Sequence, residues 1–143
     1  MENKIPQKGV NRFASAMLEK KLIEKHYECM RCTVSRDGLL KAKGCITPTD
    51  ISETYEFIIE YLPYHKPVVN IERPRIEYSN DIHIYSDGSL CLYYLGDMRW
   101  DKALHIHNTI IPWTAEWILF YELYKITGKW EHPYVPHGKL KKP

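Results

Sequence analysis

Residues 55–72 read YEFIIEYLPYHKPVVNIE. Tyr55, Phe57, Ile59 and Tyr61 fall on one side of a two-residue repeat, and Glu56 and Glu60 fall on the other. That alternation is the mark of a β-strand with one apolar face. Pro63 and Pro67 interrupt it, and PVVNIE then resumes in strand-forming residues. A connection this short joins antiparallel neighbours, because a parallel pair needs a crossover of a dozen residues or more. The stretch therefore commits the chain to an antiparallel sheet.

Two further strands precede it. HYECMRCTVS leads into an Asp37-Gly38 turn, and LLKAKGCITP leaves it. The four runs make a meander. Before them, Val10, Phe13, Ala14, Met17, Leu18 and Leu22 recur at helical spacing, with Arg12, Glu19, Lys20 and Lys21 on the remaining arc. This predicts an amphipathic helix from about Asn11, as cap, to about Lys25.

A second helix starts near Pro112, a residue suited to a first turn, and stops at Gly128. Trp113, Trp117, Phe120, Tyr121 and Tyr124 run along it, widened by Ile118, Leu119 and Leu123. Only Glu116, Glu122 and Lys125 form a polar stripe, so the helix is expected to be largely buried, with at most an edge left for a partner. The order is helix, four-stranded antiparallel meander, irregular segment, long C-terminal helix: an α+β fold. At 143 residues it reads as one domain over 1–143, with 1–8 and 136–143 as loose ends.

Several functions are disfavoured. The formal net charge is +2, too balanced to argue for nucleic acid, and the lysines near both ends read as solvated surface. No glycine-rich phosphate loop occurs. No stretch reads as a signal peptide or a membrane span, which points to the cytoplasm. Thiols stay reduced there, so four cysteines do not imply two disulfides.

From Arg73 to Trp100 periodicity weakens, with Pro74, an Asn80-Asp81 pair, and Asp87-Gly88 and Gly96-Asp97 turns. Long irregular stretches inside compact domains usually carry function. This one holds Cys91, which by itself is better explained by a buried strand cysteine than by a nucleophile.

The surroundings of Cys91 resemble the active-site segment of ubiquitin-conjugating enzymes. Tyr85, Gly88, Leu90, Cys91 and Leu92 match that family's motif, Trp100 follows at the expected distance, and Ala103, Leu104 and Ile106 lead toward the helix. Pro63, Tyr64, Pro67 and Val68 match its proline turn. The likeness runs from about Asn11 to Ile126 and implies that family's UBC-like fold. Two departures mark a branch. Where the family has histidine-proline-asparagine, this chain has Asp81-Ile82-His83, and it ends soon after the long helix. Both features are similar to the stand-alone conjugating-enzyme-like proteins of bacterial type II CBASS antiphage operons.

The resemblance implies a transferase whose nucleophile, Cys91, takes a partner's C-terminus as a thioester and passes it to an amine or thiol. The implied partner is the C-terminal tail of a cGAS-like nucleotidyltransferase, primed thereby for cyclic-nucleotide signalling; neither nucleic acid nor membrane is implied, and no cofactor or metal. Thiolate chemistry suits such a carrier, and Cys91 after the Asp87-Gly88 turn is expected to be accessible. His83 stands at the family's asparagine position, as oxyanion donor or as loop organiser, with Asp81 a candidate to orient its ring. The alternative is a catalytically silent binding module on the same fold.

Other constellations carry less. Cys29 and Cys32 form a CxxC, but on a strand residues three apart point to opposite faces. Cys45 reads as structural. His105 and His107, with His132 and His137 downstream, lack a spaced acidic or cysteine ligand for zinc and read as surface or helix-entry residues. A cysteine peptidase would need a base near Cys91, for which only His83 is local.

Overall fold

The structure is a computed structural model and describes residues 7–92, 100, 101 and 103–131. Helix α1 spans Gln7–His26. Strands β1 (Arg31–Val34), β2 (Leu40–Ile46), β3 (Tyr55–Tyr61) and β4 (Val68–Arg73) follow, and helix α2 spans Ile110–Thr127. The strands form one sheet in the order β1-β2-β3-β4, each pair antiparallel. The α+β meander expected from the sequence is the one observed.

Strand β3 holds the centre. Tyr55, Phe57, Ile59 and Tyr61 are buried, while Glu56, Ile58 and Glu60 line the outer face. Burying four such side chains contributes roughly 1.5–3 kcal/mol each. Lys41–Glu60 and Arg73–Glu56 ion pairs lie on the outer face at 3.9 and 3.5 Å. The β1–β2 turn closes through Gly38 N–H to the Ser35 carbonyl at 3.0 Å. Gly38 has φ +93°, and a Cβ there would meet Arg12 Cβ at 2.8 Å. Glycine is needed there both for the left-handed backbone and for the close approach of α1.

Helix α1 departs from expectation. It begins at Gln7, so Asn11 is an exposed residue within the helix and not its cap. Its buried stripe is Ala16, Glu19 and Ile23, whereas Phe13 and Leu18 are 42% and 49% exposed. The helix is thus rotated away from the face that hydrophobicity alone predicts. The cause is Glu19, whose carboxylate is satisfied inside the fold: it accepts from the Ile106 amide at 2.9 Å and meets His105 Nδ1 at 2.8 Å. A buried carboxylate with such partners no longer needs the solvent side.

Helix α2 also differs. Pro112 does lie in its first turn, and Gly128 ends it in the left-handed conformation, donating its N–H to the Tyr124 carbonyl at 2.7 Å. Yet only Ile110, Ile111, Thr114, Trp117 and Ile118 are buried. Leu119, Leu123 and Ile126 are exposed, the last at 80%. The expectation of a largely buried helix is therefore wrong. An apolar circumference does not force burial when the sheet covers one side only. Glu122 anchors the helix to the β2–β3 loop, accepting from Ser52 Oγ and Tyr55 Oη, each at 2.6 Å. No helix among the described residues is long and apolar enough to cross a membrane.

Candidate functional site

The irregular segment folds back on itself beside β4. Ile84 and Leu90 form an isolated antiparallel bridge. Tyr85 N–H donates to the Ser89 carbonyl at 2.8 Å, and Gly88 N–H to the Tyr85 carbonyl at 2.9 Å. Gly88 has φ +93°, which the turn requires. Asp87 tightens it by accepting from the Ser89 amide at 2.9 Å and the Ser89 hydroxyl at 2.7 Å. These bonds hold its carboxyl below the usual range, against a smaller opposing effect of burial. Leu90 N–H reaches the Val69 carbonyl of β4 at 2.9 Å, which docks the hairpin on the sheet edge.

Cys91 leaves this hairpin fully buried, flanked by buried Leu90 and Leu92. The accessible cysteine expected from the sequence is not what is found. Ile82, Ile84, Leu90 and Leu92 join the hydrophobic core, whereas Cys91, between the two leucines, alternates to the other side of the hairpin with His83 and is buried there. The Gly96-Asp97 turn lies outside the described residues.

His83 organises the segment through its backbone. Its carbonyl accepts from the Cys91 amide at 3.1 Å and from the Trp117 indole of α2 at 2.7 Å. One oxygen therefore fixes the cysteine backbone to the long helix. The His83 ring is buried and stacks on Trp130, with centroids 5.7 Å apart and planes 14° from parallel. Trp130 also packs on Trp117 and Tyr124, so the imidazole belongs to an aromatic cluster. Asp81 is exposed, and its carboxylate accepts from Tyr124 Oη at 3.5 Å.

Tyr85 was legible only as a motif letter. Its half-buried phenol is hydrogen-bonded to the Cys91 side chain, and its pKa is raised, first by burial and then by that bond. The Trp100 indole donates to Tyr61 Oη at 3.3 Å, with the rings edge to face. This ties the residue after the undescribed stretch to the end of β3.

The histidines gather at the entry to α2. His105 meets Glu19, and the His107 ring stacks on His26 at 4.6 Å. Tyr27 Oη donates to the His107 carbonyl at 2.7 Å. Burial lowers the His107 pKa, and the neighbouring His26 and His105 add to this. Among the described residues no group of three or more histidine, cysteine, aspartate or glutamate side chains is arranged to hold a metal ion. His132 and His137 lie outside the described residues. Glu19 was missed as a structural residue; its place between Ala16 and Ile23, at spacings of three and four, was the available signal.

A family model described as E2-CBASS, Type II CBASS E2 protein, matches residues 19–138. No curated protein matches the chain.

Proposed function

The chain belongs to the type II CBASS E2 family, and from that membership we propose that it carries the C-terminus of a partner protein as a thioester on Cys91. The observation that carries this reading is the anchoring of Cys91: one carbonyl, that of His83, binds both its amide and the Trp117 indole. A nucleophile that must meet an acyl carbon repeatedly gains from a backbone held on a rigid element.

In this scheme the Cys91 sulfur, as thiolate, attacks the carbonyl carbon of an activated tail. The leaving group departs and an acyl–sulfur bond remains. An amine or thiol then attacks the same carbon and the sulfur leaves as thiolate. The Tyr85 phenol, bonded to Cys91, is the donor that stabilises that thiolate. His83 acts as loop organiser through its carbonyl. Its ring, stacked on Trp130, supports this role over that of oxyanion donor. Asp81 bears on His83 indirectly, through its bond to Tyr124, which packs on Trp130. The tail is that of the cGAS-like nucleotidyltransferase in the same antiphage system, and its acylated form is primed for cyclic-nucleotide signalling.

Loading requires Cys91, which is fully buried, to become accessible. Each hairpin bond contributes about 1 kcal/mol, so local opening is far cheaper than unfolding. The burial of Cys91 favours a second reading, a silent binding module that regulates the same partner. A trapping experiment separates the two. Cys91→Lys, co-expressed with the neighbouring operon proteins, should retain the tail as a stable amide visible by intact mass. If neither this variant nor the wild type carries any adduct, the binding-module reading stands.

A further inference from the structure

The Cys29 thiol approaches Cys45, sixteen residues away in sequence, and not its CxxC partner Cys32. Cys32 lies on the buried face of β1, where burial, with the Glu24 charge, pushes its pKa up to about 11. Cys29 and Cys45 are both exposed. The β1–β2 pairing stops at Arg31–Lys43; Cys29 lies in the turn before β1, and Cys45 lies two residues beyond Lys43 on β2. The approach is direct: the Cys29 thiol donates to the Cys45 carbonyl oxygen at 3.7 Å. Both residues line one open cavity of about 400 Å³, together with Arg31, Lys43 and Thr54. Small-molecule sites typically enclose about 300–1,000 Å³.

We propose that Cys29 and Cys45 form a redox-active dithiol that exchanges with low-molecular-weight disulfides entering this cavity. A disulfide spans about 4.4–6.8 Å at Cα, and the Cys29 sulfur already lies 3.7 Å from the Cys45 carbonyl oxygen. One protein thiol gives its proton to solvent and attacks a sulfur of the small disulfide. The small S–S bond breaks, and one half leaves as a thiolate that takes up a proton. The second cysteine, deprotonated in turn, attacks the protein sulfur of the mixed disulfide and expels the other half. Two protein thiols are oxidised by two electrons, and the small disulfide is reduced to two thiols.

The closed bridge ties the turn after α1 to the end of β2 and reshapes the cavity that both residues line. The exchange involves neither Cys91 nor its hairpin, so it is independent of the acyl-carrier reading. In a reducing compartment the pair rests as a dithiol and closes under oxidative challenge.

The test uses the full chain and oxidised glutathione, followed by alkylation of remaining thiols, intact mass and peptide mapping. The expected wild-type product has lost two hydrogens and yields one linked peptide joining Cys29 to Cys45, reversed by dithiothreitol. Cys29→Ser and Cys45→Ser should each stop at a stable glutathione adduct on the remaining cysteine. Both positions are exposed, and unchanged thermal midpoints verify the fold of these variants. Separate glutathione adducts on Cys29 and Cys45 without a linked peptide overturn the proposal. So does a link from Cys29 to Cys32, or no reaction at all.

Discussion

The Trp117 indole donates to the His83 carbonyl at 2.7 Å, and the Cys91 amide donates to the same oxygen at 3.1 Å. Helix α2 and the cysteine hairpin therefore share a single acceptor, buried in an aromatic cluster. Trp117→Phe keeps an aromatic side chain but removes the indole donor and part of the buried ring. It should cost about 1–3 kcal/mol, read as a lower urea midpoint with an unchanged slope. The same variant should speed alkylation of Cys91, measured with the other three cysteines replaced.

Tyr85 is the side-chain counterpart of that anchor. Tyr85→Phe removes the hydroxyl that is bonded to Cys91. The pH profile of Cys91 alkylation in the same background should shift upward, because the thiolate loses a donor. An unchanged profile would remove Tyr85 from the mechanism.

Helix α1 shows where the sequence was readable and where it was not. The alternation Tyr55, Phe57, Ile59, Tyr61 is a local signal, and it alone sufficed to place β3 and its buried face. The burial of Glu19 depends on His105 and Ile106, more than eighty residues away, and the only local hint was its place between Ala16 and Ile23 at spacings of three and four. Hydropathy therefore placed Phe13 and Leu18 inward and Glu19 outward, the reverse of what is found. The Cys29–Cys45 approach was hidden for the same reason, since the fold of the turn before β1 and not sequence spacing creates it. The motif around Cys91 singled out this segment, but the burial of the thiol emerged only from the fold. Glu19→Ala tests the buried acceptor: leaving the Ile106 amide without it should cost about 1–3 kcal/mol of stability.

Two further groups make stability depend on pH. Burial raises Glu122, but the bonds from Ser52 and Tyr55 outweigh it and hold the carboxyl below its ordinary value. A depressed folded pKa binds protons less readily than the unfolded chain. Its stabilisation is present above about pH 4.5 and is lost as pH falls through the folded value. Tyr55→Phe should flatten that acid limb and cost about 1–2 kcal/mol at neutral pH.

His107 acts in the same sense at milder acidity. Its folded pKa is depressed by burial and by His26 and His105, while Glu19 opposes the shift. The unfolded chain therefore binds the proton more readily, and stability falls as pH drops below about 6.5. The urea midpoint of wild type should decline between about pH 7.5 and pH 5.5, and His107→Gln should decline less.

The measurement closest to the central claim is intact mass of the wild-type chain purified under non-reducing, mildly acidic conditions after co-expression with the proposed partner, a CBASS cGAS-like nucleotidyltransferase. The account predicts a covalent adduct with the nucleotidyltransferase C-terminus, mapped to Cys91, released by dithiothreitol and absent from Cys91→Ala. A complex that forms without any thiol-labile bond, and equally well with Cys91→Ala, would contradict it.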